Sequence, residues 1–275
     1  MDAVEALILG IVQGATEYIP VSSTAHLLIV PWLFGWAQPS FAFNVLVQLG
    51  TLGAVIIYLA KYGGLIDIVR SSVRGLWLRQ PFIDEHARLG WMIVVATIPA
   101  VVFGLLFEDA VEAAMGDARH VFIELFVNGL MLAGAELLGR RQRAKGGGRP
   151  ITFLTAILIG FGQALAIVPA ISRSGATIAV GLVCGVDRGE AARFSFLMSI
   201  PVMLGAGVLK AKDLVEQPGL LEREGTGLLI AFAAAAVVGF VVIAWLQSFL
   251  KKHSLFGFAA WCIVVATAGL VFDVG

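Results

Sequence analysis

Apolar positions along this chain come in long blocks rather than in alternation. Runs long enough to cross a bilayer as helix, which takes about 20 residues, fall near 41–60, 89–107, 121–138, 194–210, 228–247 and 255–272, and they predict six transmembrane helices. Two further apolar stretches, 1–40 and 151–187, are broken near their middles by proline and glycine. Broken backbone is tolerated at membrane depth only where protein or a wet cavity surrounds it, so these stretches read as re-entrant helix hairpins.

Lysine and arginine in the connecting segments set the orientation. The 139–150 segment holds Arg140, Arg141, Arg143, Lys145 and Arg149 without an acid, and the 61–88 segment holds Lys61, Arg70, Arg74, Arg79 and Arg88, so both are expected in the cytoplasm. Residues 108–120, with Glu108, Asp109, Glu112 and Asp117, and the acidic 211–227 segment are expected outside. The first hairpin then dips from the outer face and the second from the cytoplasmic face.

The two halves echo each other at a near-constant offset. Gly10-Ile-Val-Gln13 is matched by Gly160-Phe-Gly-Gln163, Pro20 by Pro169, and Phe41-Ala-Phe43 by Phe194-Ser-Phe196. One hairpin plus three crossings per half gives an all-α, inverted-topology repeat: repeat 1 over about 1–138, a cytoplasmic loop over 139–150 and repeat 2 over 151–275, forming a single membrane domain. In such repeats the ligand site lies where the broken segments meet near the midplane.

Composition agrees. Of 275 residues, 59% are hydrophobic and only 14% charged, and mean hydropathy is +0.92, which marks a multi-pass membrane protein. The net charge is zero, so nothing draws the chain toward nucleic acid. Asp2 and Glu5 stand where a signal peptide would be basic, and no cleaved leader is expected. Cys184 and Cys262 lie in separate apolar stretches and read as small buried hydrophobes rather than a disulfide.

Charge is what these blocks exclude, which makes the exceptions informative. Glu17 is the sole Asp, Glu, Lys or Arg between Ala6 and Ala60, and Arg173 the sole one between Ile151 and Val186. An intramembrane ionisable group is costly and reads by default as functional. Around Glu17 lie Pro20, Ser22, Ser23, Thr24 and His26; around Arg173 lie Pro169, Ser172, Ser174, Gly175 and Thr177. Hydroxyls before an apolar run cap a new helix, and a helix start with an adjacent guanidinium suits phosphate. Ser23 and His26, three apart, can share the face of one turn. Taken singly, a serine pair is a cap, a lone histidine a hydrogen-bonded core residue, and Gly10, Gly14 and Gly160 close-packing positions. Glu124 and Glu136 lie near the ends of their crossing, within reach of headgroups, and Gln48 serves equally as an interhelical hydrogen bond or a ligand contact. A Glu17–Arg173 salt bridge that merely joins the hairpins is the strongest purely structural account.

The segments Gly10-Ile-Val-Gln13-Gly-Ala-Thr16-Glu17-Tyr-Ile-Pro20-Val-Ser22-Ser23-Thr24-Ala-His26 and Pro169-Ala-Ile-Ser172-Arg173-Ser174-Gly175-Ala-Thr177 resemble the two signature motifs of the undecaprenyl-diphosphate phosphatase family, also called bacitracin resistance proteins. The resemblance implies an enzyme of the bacterial cytoplasmic membrane that removes one phosphate from undecaprenyl diphosphate, recycling the lipid carrier for peptidoglycan. It also implies dependence on a divalent cation and an active site open to the outer face. Two positions depart from the family pattern: Gln13 stands where a first carboxylate is frequent, leaving Glu17 as the metal carboxylate, and Ala170 stands where glycine is usual.

The expected roles join both lines of reasoning. Arg173 grips the diphosphate, with Gln13, Ser22, Thr24, Ser172, Ser174, Gly175 and Thr177 as further substrate contacts. Glu17 holds Mg²⁺ or Ca²⁺. Ser23 is nucleophile or phosphate donor with His26 as general base or acid, and attack by His26 itself stays open. The rival function is a transporter or flippase of an anionic lipid, since inverted repeats with re-entrant hairpins are also transporter architecture. A homodimer is compatible with the sequence but not required by it.

Overall fold

The computed structural model describes residues 1–107, 117–144, 146, 148–215 and 220–272, without the side chains of residues 41, 209–215 and 220–224. The acidic 108–116 segment, residues 216–219 and Lys145 lie outside the described residues, as do the side chains of Lys212, Asp213 and residues 220–224, so the outward assignment of both acidic connections rests on sequence. Eleven α-helices and no strand are present among the described residues: α1 Ala3–Thr16, α2 Ser23–Phe34, α3 Phe41–Tyr62, α4 Leu65–Trp77, α5 Glu85–Leu106, α6 Ala118–Ala144, α7 Phe153–Leu165, α8 Arg173–Val183, α9 Arg188–Val215, α10 Leu220–Leu250 and α11 Phe256–Phe272.

Five of these are long and apolar enough to cross a membrane: Ala42–Tyr62, Glu85–Leu106, Ala118–Ala144, Arg188–Val208 and Gly225–Leu250. The sixth expected crossing is α11, an apolar helix of 17 residues. By contrast α1, α2, α7 and α8 have 14, 12, 13 and 11 residues. At 1.5 Å per residue they reach at most about 21 Å, well short of a hydrocarbon core of about 30 Å. Both broken stretches therefore fold as pairs of short helices. Large apolar side chains such as Leu33, Ile57, Val94, Leu154, Val237 and Val264 are exposed over the surface, which suits lipid rather than water.

Local sequence fixes the helix starts. Asp2 and Glu5 form a reciprocal cap: Asp2 Oδ1 accepts from Val4 and Glu5 N–H, and Glu5 Oε2 accepts from Asp2 N–H. Ser22, Ser40, Asp84, Thr152 and Ser172 cap α2, α3, α5, α7 and α8. The 61–88 connection is not simply a loop. It contains α4, whose Ile66, Val69, Val73, Leu76 and Trp77 form an exposed apolar stripe beside Arg70 and Arg74, while Ile68 is buried where α4 packs on α5. Residues 65–77 thus have the amphipathic form of a helix lying at a membrane surface.

The short helices pack crosswise between the halves. Helix α1 lies along α10 and α7 along α5, while α6 pairs with α11 and contacts α8. Close approach is possible because the contact residues lack side chains: a Cβ on Gly10 would lie 2.5 Å from the Ala231 carbonyl oxygen, and one on Gly160 would strike that of Ala96. Each broken pair is thereby buttressed by a crossing of the other half.

Candidate active site

The turn after α1 is set by Pro20 and by an unusual backbone at Ser22, whose φ of 68° lies in the left-handed region. Such a conformation in a non-glycine residue costs about 1–3 kcal/mol and persists only where surroundings enforce it. Here they do. Ser22 Oγ accepts from Ala25 N–H, and the Ser22 carbonyl accepts from both the backbone N–H and Nδ1 of His26. The result aims the first residue of α2, Ser23, back at the last turn of α1. Ser23 Oγ donates to Glu17 Oε2 at 2.7 Å, and Gln13 Nε2 donates to the same oxygen at 2.9 Å.

The other carboxylate oxygen belongs to the second motif. Arg173 Nη2 donates to Glu17 Oε1 at 2.5 Å, with side-chain exposures of 16% and 8%. The same nitrogen contacts Met203 Sδ at 3.4 Å, and the guanidinium lies over the Tyr18 ring at 5.9 Å. Arg173 is the first residue of α8, as Ser23 is of α2. The two helix starts, each with a positive dipole end, therefore present a hydroxyl and a guanidinium to one carboxylate.

Most of the remaining hydroxyls shape the second turn. Ser172 Oγ accepts from Gly175 N–H at 3.0 Å and lies 3.1 Å from Ser174 Oγ, which in turn donates to the Ile19 carbonyl of the first turn. Thr177 Oγ1 bonds the Arg173 carbonyl and lies 2.7 Å from Ser195 Oγ. Gly175 is required sterically, since a Cβ there would lie 2.9 Å from Ser172 Cβ and 3.2 Å from Asn128 Oδ1. Gln13, Ser22, Ser172, Ser174 and Thr177 are buried, whereas Glu17, Ser23, Thr24 and Arg173 keep partial access. The Thr24 hydroxyl makes no hydrogen bond among the described residues.

The pairing expected between Ser23 and His26 is not formed. His26 Nε2 accepts from Trp261 Nε1 at 3.0 Å, and the two rings meet edge to edge, tilted by 11° with centroids 6.1 Å apart. With Nδ1 on the Ser22 carbonyl and Nε2 on the indole N–H, the ring holds its proton at Nδ1 and has both nitrogens engaged.

Helix α6 supplies contacts that the sequence reading did not assign. Asn128 Nδ2 donates to the Pro20 carbonyl while its Oδ1 accepts from Ser172 N–H, so one buried amide ties both turns together. Glu124, one turn earlier, accepts from Ala170 N–H at 2.9 Å instead of reaching toward headgroups. Glu136 is likewise not directed at headgroups: it is fully buried and bonded by Arg140, Arg143, Arg188 and the Leu255 N–H. The i, i+4 spacing of Glu124 and Asn128 in an apolar helix was the available signal, because it places both on one face.

A divalent cation takes oxygen ligands. No cluster of three or more His, Cys, Asp or Glu side chains occurs among the described residues. Beside the Glu17 carboxylate, however, Gln13 Oε1 is buried without a hydrogen-bond partner among the described residues. One carboxylate, one orphaned amide oxygen and phosphate oxygens from a substrate fit a hard cation, which commonly binds through one or two carboxylates plus phosphates.

These features define the class: a multi-pass, all-helical membrane protein whose polar centre is built jointly by two broken helix pairs. Residues 6–268 match the bacitracin resistance protein BacA family, and the chain belongs to that family. It is 43% identical over 272 residues to an undecaprenyl-diphosphatase of Chlorobium chlorochromatii, covering 98% of this chain and 96% of that protein. It is 40% identical over 269 residues to one of Chloroherpeton thalassium, covering 96% and 94%, and 41% identical over 261 residues to one of Thermomicrobium roseum, covering 92% of each.

Proposed function

We propose that the chain is an undecaprenyl-diphosphate phosphatase, hydrolysing undecaprenyl diphosphate to undecaprenyl phosphate and inorganic phosphate and so recycling a lipid carrier for cell-wall synthesis. Family membership and the names of near relatives support hydrolysis over carriage of the lipid. The observation that carries the reading is Glu17 with Ser23 on one oxygen and Arg173 on the other. That is a hydroxyl, its proton acceptor and an anion grip in one place.

Arg173 has five N–H donors, and its hydrogen bonds to Glu17 and Met203 both leave from Nη2. The Nε–H and the two Nη1–H groups can therefore donate to a phosphate without releasing Glu17. Ser23 Oγ attacks the terminal phosphorus as Glu17 takes its proton; the bond to the bridging oxygen breaks and undecaprenyl phosphate departs. Water then cleaves the phosphoserine and restores Ser23. Thr24 and the free N–H groups of the two helix starts face the phosphate oxygens, while Ser22, Ser172, Ser174, Gly175 and Thr177 hold the turns that present them. His26 keeps the strained Ser22 turn in place, and acid–base work by His26 requires Nε2 to leave Trp261. Glu17 and Gln13 Oε1 would hold Mg²⁺ or Ca²⁺, which when bound neutralises phosphate charge.

The crosswise packing of α1 on α10 and α7 on α5, with Ser23 and Arg173 at equivalent helix starts, supports an inverted-topology repeat with two re-entrant pairs. Loop charge supports a site open to the outer face of the cytoplasmic membrane. The deciding experiment supplies purified protein with Mg²⁺ or Ca²⁺ and undecaprenyl diphosphate and measures inorganic phosphate. Release supports the reading; no release, together with movement of the lipid across vesicles, replaces it with a transporter.

A further inference from the structure

Arg173 is held by more than its carboxylate. Nη2 has two hydrogens and two acceptors, Glu17 Oε1 at 2.5 Å and Met203 Sδ at 3.4 Å, and the guanidinium carbon lies 5.9 Å from the centroid of the Tyr18 ring. Tyr18 follows Glu17 directly in the chain, so one dipeptide supplies both the counter-ion and an aromatic face. Resting on the phosphatase reading, we infer that Tyr18 and Met203 are positioning residues: together they fix the plane of the Arg173 guanidinium and so aim its Nε–H and two Nη1–H groups at the diphosphate.

The bracket is itself braced. The Tyr18 hydroxyl donates to the Thr51 carbonyl at 3.2 Å and lies 3.8 Å from Met203 Sδ, and the Phe196 ring packs against the Tyr18 ring at 77° with centroids 5.1 Å apart. Phe196 and Met203 are seven residues apart on α9, close to two helical turns, and so share a face. Helix α9 thus holds a ring of the first half while α8 lays Arg173 over it. Tyr18 and Met203 are both buried, so each acts through Arg173 rather than on the substrate. The sulfur suits its place: a thioether is a weak, uncharged acceptor, which occupies the second Nη2 hydrogen without competing with phosphate for the cation. Donors stabilise a transition state best when they are aimed in advance, and a guanidinium on a flexible stem needs such a bracket to be so.

The test measures kcat and KM for phosphate release from undecaprenyl diphosphate, with Mg²⁺ or Ca²⁺, by wild type, Met203→Leu, Tyr18→Phe and Tyr18→Leu, each also in an Arg173→Lys background. Leucine at 203 conserves volume but accepts no hydrogen bond. It is expected to lower kcat about tenfold and to leave KM within about threefold, because a misaimed donor loses more in the transition state than in the bound substrate. Tyr18→Leu should behave alike, whereas Tyr18→Phe keeps the ring on which a guanidinium stacks and should stay within about threefold of wild type. A lysine has no plane to fix, so in the Arg173→Lys background the same substitutions should cost less than about twofold, whereas a loss of packing alone would carry over in full. Equal losses in both backgrounds, or a wild-type kcat in Met203→Leu, overturn the inference. If Tyr18→Leu does not fold, Met203→Leu in the two backgrounds decides alone. A wild type that releases no phosphate refutes instead the phosphatase reading on which the inference rests.

Discussion

Ser23 Oγ donates to Glu17 across the break between α1 and α2, whereas His26, on the same first turn, faces Trp261. The proton acceptor nearest the hydroxyl is therefore the carboxylate. Ser23→Ala and Glu17→Gln are each expected to lower phosphate release by about a hundredfold or more, the scale of nucleophile and acid–base losses. His26→Gln is expected to cost less and to leave the acid limb of the pH–rate profile in place. Loss of that limb in the glutamine variant would return the base role to His26.

Arg173→Lys keeps a cation for Glu17 but gives up the Nε and Nη1 donors of the planar guanidinium. Turnover of undecaprenyl diphosphate should fall about ten- to a thousandfold, comparable to removal of a transition-state donor. If kcat/KM stays near wild type, the ion pair serves only to join the two broken pairs.

The charges just discussed were legible in the sequence because an apolar block makes any ionisable residue conspicuous. The caps at Ser22 and Ser172 were legible for a similar reason, being hydroxyls directly before apolar runs. Other features were hidden by their physics. In α4, charged and apolar residues alternate with helical period, so average hydropathy reads a loop where the moment would read an amphipathic helix. The partner of His26 lies 235 residues away. Spacing gives the face on which a side chain sits but says nothing of the helix that meets it. Glu124 and Asn128 were visible as polar residues, yet their partners are backbone groups of turns whose shape no local pattern specifies.

Asn128 bonds backbone in both turns at once. Asn128→Ala leaves the Pro20 carbonyl and the Ser172 N–H without this partner, at about 1–3 kcal/mol for each buried group left unpaired. A lower midpoint of thermal unfolding in detergent, with reduced activity, is expected. An unchanged midpoint would mean that water replaces the amide at no cost.

Chelation is expected to abolish activity and Mg²⁺ or Ca²⁺ to restore it. Gln13→Glu gives the second carboxylate common in the family and should lower the cation concentration for half-maximal activity by about tenfold, since ligand charge tunes affinity. Undiminished turnover after complete chelation would remove the cation from the scheme.

Orientation can be read with single cysteines in a background lacking Cys184 and Cys262. An impermeant maleimide should label Gly146→Cys only from the cytoplasmic side and Thr226→Cys only from the outside. Labelling of both from one side would contradict the inverted repeat.

Helix α11 carries both Trp261, which holds His26, and Cys262, whose sulfur lies 3.4 Å from Asn128 Nδ2. Ribosomes deliver helices in order, so the first motif waits through nearly the whole of synthesis before its indole arrives. Until Arg173 is made, Glu17 sits in the nascent chain without its cation. Catalytic competence is thus a late event in biogenesis: a chain stalled or clipped before α11 would hold every proposed reacting residue and still lack the framework that aims them.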